Sequence, residues 1–106
     1  MTLDARHFHK FDLNSLVTFL VVYQECGVSR AAQRLGVTQP AVSNVLCKLR
    51  ARFGDPLFIP SGRCVRPTAK AEMIAQALTP ALATLQALIT GGADTAPPPR
   101  GDEERR

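Results

Sequence analysis

The 106-residue chain has no uninterrupted apolar run approaching the roughly eighteen residues that a membrane span needs. Its N-terminus, MTLDARHFHKF, has neither an apolar h-region nor a small-residue cleavage site, so a cytoplasmic chain with no membrane partner is expected. Cysteine is scarce and unpatterned. Cys26, Cys47 and Cys64 are odd in number, widely spaced and outside any C-x-x-C, and they read as reduced thiols. His7 and His9 lack the three or four convergent ligands of a zinc site, and no metal or other cofactor is expected. Catalysis lacks its parts as well. There is no nucleophile, base and orienter set and no glycine-rich phosphate loop, and Ser43 beside Asn44 has no nearby base, so no catalytic residue is assigned and an enzyme is excluded. The length allows one ordinary domain and is too short for two.

Acids are also scarce, and unevenly so. The formal net charge is +4. Residues 91–106 carry three Arg and four acids, which leaves ten bases against five acids in residues 1–90. Within 28–70, Arg30, Arg34, Lys48, Arg50, Arg52, Arg63, Arg66 and Lys70 are opposed by Asp55 alone. A folded segment with a field of that sign attracts a polyanion, although composition by itself leaves a merely solvated basic face as an equal alternative.

The chain is expected to divide into a mixed polar, flexible N-terminus (1–11), a compact unit (12–67), a long helix (68–90) and a tail (91–106). The tail opens on two glycines, contains three consecutive prolines and has no large apolar residue, so it is expected to stay disordered. Asp12 or Asn14 caps a first helix that runs to about Glu25, with Leu13, Leu16, Val17, Leu20 and Tyr23 or Gln24 at helical spacing and Phe19 widening the stripe. Gly27 is expected to end it in the positive-φ region, and Ser29 to cap a short helix over 30–35, where Ala31 and Ala32 permit close packing. Thr38 caps a third helix that reaches about Phe53, with Pro40 in the first turn, where its missing N–H leaves nothing unpaired. Val42, Val45, Leu46, Leu49 and Phe53 form its apolar face. Gln39, Ser43, Asn44, Cys47 and Arg50 fall largely on the opposite face, which therefore carries the donors and acceptors that read base edges in a major groove. Helix, a turn of Gly36-Val37, helix is the spacing of a helix-turn-helix.

After Gly54 the residues 56–59 and 64–66 are short β-forming runs separated by Pro60-Ser61-Gly62-Arg63, which reads as a small β-hairpin. Beside a helix-turn-helix it would be a wing, with Arg63 at the tip able to enter a minor groove. Thr68 caps a last helix running to about Ile89. Ile74, Leu78, Ala81, Leu85 and Leu88 step by four, three, four and three along it, a heptad seam fitted to a second copy of the same helix. Pro80 lies inside it, so either a kink or dimer packing has to compensate.

The string from Arg30 to Asn44, RAAQRLGVTQPAVSN, resembles the signature of the LysR-type transcriptional regulators. So do Phe11-Asp12-Leu13-Asn14 before it, Leu49-Arg50, Gly54-Asp55-Pro56-Leu57-Phe58 and Pro67-Thr68 after it, and the likeness spans about 11–90. DLN, TQPAVSN and DPLF look most like the branch that contains nodulation and aromatic-degradation regulators. The resemblance implies a mostly α winged helix-turn-helix, a three-helix core with a small hairpin, followed by a dimerising linker helix. It implies double-stranded DNA as partner, bound at interrupted AT-rich dyads by a homodimer or a dimer of dimers, in regulation of transcription. The family's base-reading and backbone-positioning places fall on Thr38, Gln39, Pro40, Ser43 and Asn44 and, in the wing, on Arg63. Arg30, Lys48 and Arg50 are added as phosphate contacts from charge and face. Asn44 stands where many members carry Arg, which favours adenine over guanine. The two-lobed effector domain that follows the linker helix in the family is not in these 106 residues, so no small-molecule site carries over. An alternative role is a dimerisation fragment that modulates a full-length relative by forming heterodimers.

Overall fold

A computed structural model describes residues 3–9 and 12–91. A single helical turn, α1 (Arg6–His9), lies inside the polar N-terminus, where Asp4 accepts the Arg6 amide at 3.0 Å. Then come α2 (Leu13–Glu25), α3 (Val28–Leu35), α4 (Gln39–Phe53), β1 (Phe58–Ser61), β2 (Cys64–Pro67) and α5 (Ala69–Ile89). Apart from Gly91, the tail expected at 91–106 lies outside the described residues.

Three of the helices, α2, α4 and α5, start on a residue whose side chain caps the first turn. Asp12 accepts the Asn14 amide at 2.9 Å, Thr38 accepts that of Ala41 at 3.2 Å, and Thr68 accepts that of Ala71 at 3.1 Å. Pro40 sits in the first turn of α4. Gly36 and Gly54 end α3 and α4 at φ 70° and 63°, where a glycine has no Cβ to clash.

The α2–α3 junction departs from the sequence expectation. Cys26, not Gly27, adopts the left-handed conformation (φ 57°), while Gly27 is extended and begins α3 without a side-chain cap. Ser29 is therefore inside the first turn of α3. The Cys26 carbonyl accepts the amide of Val65 in β2 at 3.0 Å, a tertiary bond that holds the turn open at this residue. With only two residues between helices, one must close α2 and the other open α3.

The core is centred on Phe19, Val22, Val42, Leu46, Leu49 and Leu57, all fully buried, with Ala31 and Ala32 letting α3 approach and Ala71 and Ala75 seating α5. Phe19 and Phe58 stack tilted with centroids 5.3 Å apart, which joins α2 to the hairpin. The buried stripe of α2 is thus rotated from the one expected. Phe19 and Val22 are at its centre, whereas Leu13 is 48% and Val17 36% exposed. Helix α2 packs on α3, α4 and α5 and, through Phe19, on the hairpin, which leaves the Leu13 end of its expected stripe exposed.

The hairpin is antiparallel, with Phe58 opposite Pro67, Ile59 opposite Arg66, Pro60 opposite Val65 and Ser61 opposite Cys64. Pro60 is thus within β1 rather than in the turn, which is Gly62-Arg63 with Gly62 at φ 63°. Its place is compatible with the missing N–H. Val65 opposite it turns its own amide outward to Cys26, so this pair needs no donor from Pro60.

Helix α5 is continuous through Pro80 over 21 residues, about 30 Å at 1.5 Å per residue. By length and composition it could cross a membrane. Its first half, however, is packed on the domain core through Ala71, Ala75, Ile74 and Leu78. The phenol of Tyr23 donates to Glu72 at 2.6 Å and fastens α5 to α2.

Candidate nucleic-acid interface

Because Val42, Leu46 and Leu49 turn one side of α4 into the core, helical spacing turns the other side out. Gln39, Pro40, Ser43, Asn44, Cys47 and Lys48 are all exposed on it, and so is Thr38 at its start. Two rows run along this face, Gln39–Ser43–Cys47 and Pro40–Asn44–Lys48, each at i, i+4, i+8. A row of amide, hydroxyl and thiol groups beside one that ends in an ammonium offers several hydrogen-bonding groups to the edge of a duplex and one charge to its backbone.

Several of these groups have partners. Thr38 uses a lone pair of its hydroxyl oxygen to cap Ala41 and keeps its own proton to donate. The Gln39 amide donates a long bond of 3.4 Å to the hydroxyl of Ser29, so the first turns of α3 and α4 are held side by side. Ser29 is exposed. Sequence reasoning placed it as a cap, and only the packing of α3 on α4 brings it to Gln39.

Arg50 is exposed, yet its Nε donates to the carbonyl of Pro56 at 2.9 Å. It ties the end of α4 to the base of the hairpin, a task that charge and face did not suggest. Arg30 is exposed on the first turn of α3, and Arg63 is exposed at the hairpin tip. Arg34 is compensated by Glu25 at 3.1 Å.

Asp55, the single acid among these bases, accepts the Thr68 hydroxyl at 2.7 Å and the Leu57 amide at 2.8 Å. The first of these bonds, then the second, holds its carboxyl below the usual carboxylate range. Asp55 therefore stays ionised, and the field over 28–70 is positive because eight bases outnumber this one carboxylate.

The residues assigned to dimerisation separate into two groups. Ile74 and Leu78 are half-buried against the domain's own core. Ala81 is exposed, Leu85 is 43% exposed and Leu88 73%. Leu85 and Ile89 border an apolar cleft of about 260 Å³ between α2 and α5, floored by Val17, Leu20 and Val21. Among the described residues no group of three His, Cys, Asp or Glu side chains could hold a metal ion.

A family described as "Bacterial regulatory helix-turn-helix protein, lysR family" matches residues 13–72. The chain is 42% identical over 80 residues to the HTH-type transcriptional regulator LeuO of Escherichia coli, covering 76% of this chain and 26% of that protein. It is 40% identical over 79 residues to Nodulation protein D 1 of Rhizobium meliloti, covering 74% and 26%. Among solved structures, a probable transcriptional regulator from Pseudomonas aeruginosa superposes with a TM-score of 0.74 at 34% identity, over 78% of this chain and 28% of that one. Full-length CbnR complexed with its target DNA superposes with a TM-score of 0.63 at 25% identity, over 78% and 28%. The chain spans about a quarter of the length of these proteins. The nodulation-type likeness of its motifs agrees with these relatives, and family members are transcription regulators rather than enzymes. With its fold, the exposed face of α4 and its matched residues in agreement, the chain belongs to the LysR family and carries that family's winged helix-turn-helix DNA-binding domain.

Proposed function

We propose that the chain binds double-stranded DNA sequence-specifically as a homodimer and regulates transcription in the cytoplasm. The observation that carries this reading is the outward side of α4, polar along its length and flanked by Lys48. In this reading α4 enters the major groove. Thr38, Gln39, Pro40, Ser43 and Asn44 read or position the bases, Arg30, Lys48 and Arg50 contact phosphates, and Arg63 enters the neighbouring minor groove. Arg50 reaches a phosphate with its terminal nitrogens while its Nε remains on Pro56.

The exposed Ala81, Leu85 and Leu88 pair with the same helix of a second copy. Two such protomers present recognition helices to an interrupted AT-rich dyad whose half-sites lie roughly 34 Å apart, and two dimers side by side would form the tetramer. Selection of bound duplexes from a random pool at physiological salt tests specificity, symmetry and spacing together. A dyad with that spacing is the expected result, and equal affinity for scrambled duplex overturns the specific part.

The same exposed end of α5 favours a second reading, a dimerisation fragment that pairs with a full-length relative. Co-expression with such a regulator separates the two, since heterodimers that fail to activate support it.

A further inference from the structure

We infer that Asp55 is a positioning residue for DNA binding, setting the wing against the recognition helix through the N-cap of α5. The inference rests on the reading of Arg63 as a DNA contact.

Three elements meet at this carboxylate. Helix α4 closes at Gly54, β1 opens at Phe58, and α5 opens at Ala69. Between them one oxygen of Asp55, Oδ2, accepts both the Leu57 amide and the Thr68 hydroxyl. Because the Thr68 proton goes to Asp55, the lone pairs of the same hydroxyl are free for the Ala71 amide that starts α5. Thr68 in turn donates its own amide to the Leu57 carbonyl at 2.9 Å. From the last turn of α4, Arg50 holds the Pro56 carbonyl.

That carbonyl also accepts the Phe58 amide at 2.7 Å, closing a three-residue turn around Leu57, which has φ 67°. A branched side chain in the left-handed region at the centre of such a turn is strained, and it persists only where its surroundings over-determine it. Here the determinants are the wholly buried Leu57 side chain and the Asp55 carboxylate on its amide. With the carboxylate removed, that amide loses its acceptor and the turn has one fewer restraint against relaxing to negative φ. The hairpin beyond it extends about 13 Å along four residues per strand, so a small rotation at Leu57 is a large displacement at Arg63.

A residue that only stabilised the fold would lower affinity in proportion to the folded fraction. One that positions the wing removes what Arg63 contributes. Both bonds end on one oxygen, so the amide oxygen of Asn can replace it while Ala cannot.

Titrations of a selected duplex with the full chain carrying Asp55→Ala, Asp55→Asn, Arg63→Ala or Asp55→Ala with Arg63→Ala test this. Each of the two alanine variants should weaken binding about fivefold to tenfold, the size of one hydrogen-bonded contact. The double variant should be no weaker than the worse single, and Asp55→Asn should stay within about twofold of the parent. Losses that multiply, or Asp55→Ala binding like the parent, overturn the inference. If Arg63→Ala alone binds normally, the wing contact fails and the clamp is still tested by amide exchange. Faster exchange at Leu57, Phe58 and Val65 in Asp55→Ala than in Asp55→Asn is then expected, and equal protection overturns it. If Asp55→Ala does not fold, Thr68→Val, which keeps the carboxylate and removes its donor, takes its place in both measurements.

Discussion

Gln39 is where the proposed chemistry is most exposed to test. Its amide is loosely held at 3.4 Å by Ser29, so a base edge can compete for it at little loss. Gln39→Ala should cost about 1 to 3 kcal/mol of binding and relax preference at one base pair per half-site. Titration against operators permuted at single positions reads both effects, and an unchanged preference profile would remove Gln39 from base readout. Two other side chains contribute to the pH dependence of the fold. The Thr68 hydroxyl and then the Leu57 amide hold the Asp55 carboxyl below its ordinary value of 3.8, so its contribution is present above that value and is lost as pH falls through the lowered one. The hydrogen bond to Glu72, then burial, raises the Tyr23 phenol above 10.0, so its contribution is present below that value and is lost as pH rises through the raised one. Denaturant midpoints should therefore form a plateau between about pH 5 and 9 and fall on both sides. In Tyr23→Phe the alkaline decline should begin at a different pH, and an unaltered alkaline limb would remove Tyr23 as its cause.

At the scale of elements, the apolar periodicity of α4 and its Thr38 and Pro40 start are local properties, and both were legible. The apolar side also named the polar one, since a helix with half its surface buried has one side left. The hairpin was legible as two short runs, though Pro60 sits in a strand because its pair with Val65 is one that exchanges no ladder bonds, as the outward Val65 amide shows. The α2–α3 turn was misread for the same kind of reason: glycine is the local preference for positive φ, and a bond from β2 to Cys26 outweighs it. For α5, a heptad seam cannot tell by itself which half meets the domain. Ile74 and Leu78 lie on the core, so the exposed half is the one left for a partner. Leu85→Lys should therefore yield monomers in sedimentation while leaving the melting of the domain nearly unchanged. Persistent dimers would show that the pairing surface lies elsewhere.

For the whole molecule, binding should be governed by charge. Eight bases stand in 28–70 against one acid, and that acid is bonded internally. If each protomer neutralises five to eight phosphates, log K should fall with log salt at about 0.9 per phosphate. A shallow slope measured on the selected dyad would show that fewer bases reach the backbone. The sequence by itself determined the starts of α2, α4 and α5, the apolar face of α4, the basic field and the family motifs, because each depends on residues within a few positions of one another. The tertiary structure alone decided the rotation of the α2 stripe, the division of α5 between core and free surface, the role of Arg50, and the bonding of Asp55 to Leu57 and Thr68. Those depend on which elements meet, and a hydrogen bond across thirteen residues, or a helix face covered by another segment, leaves no periodic trace in the chain.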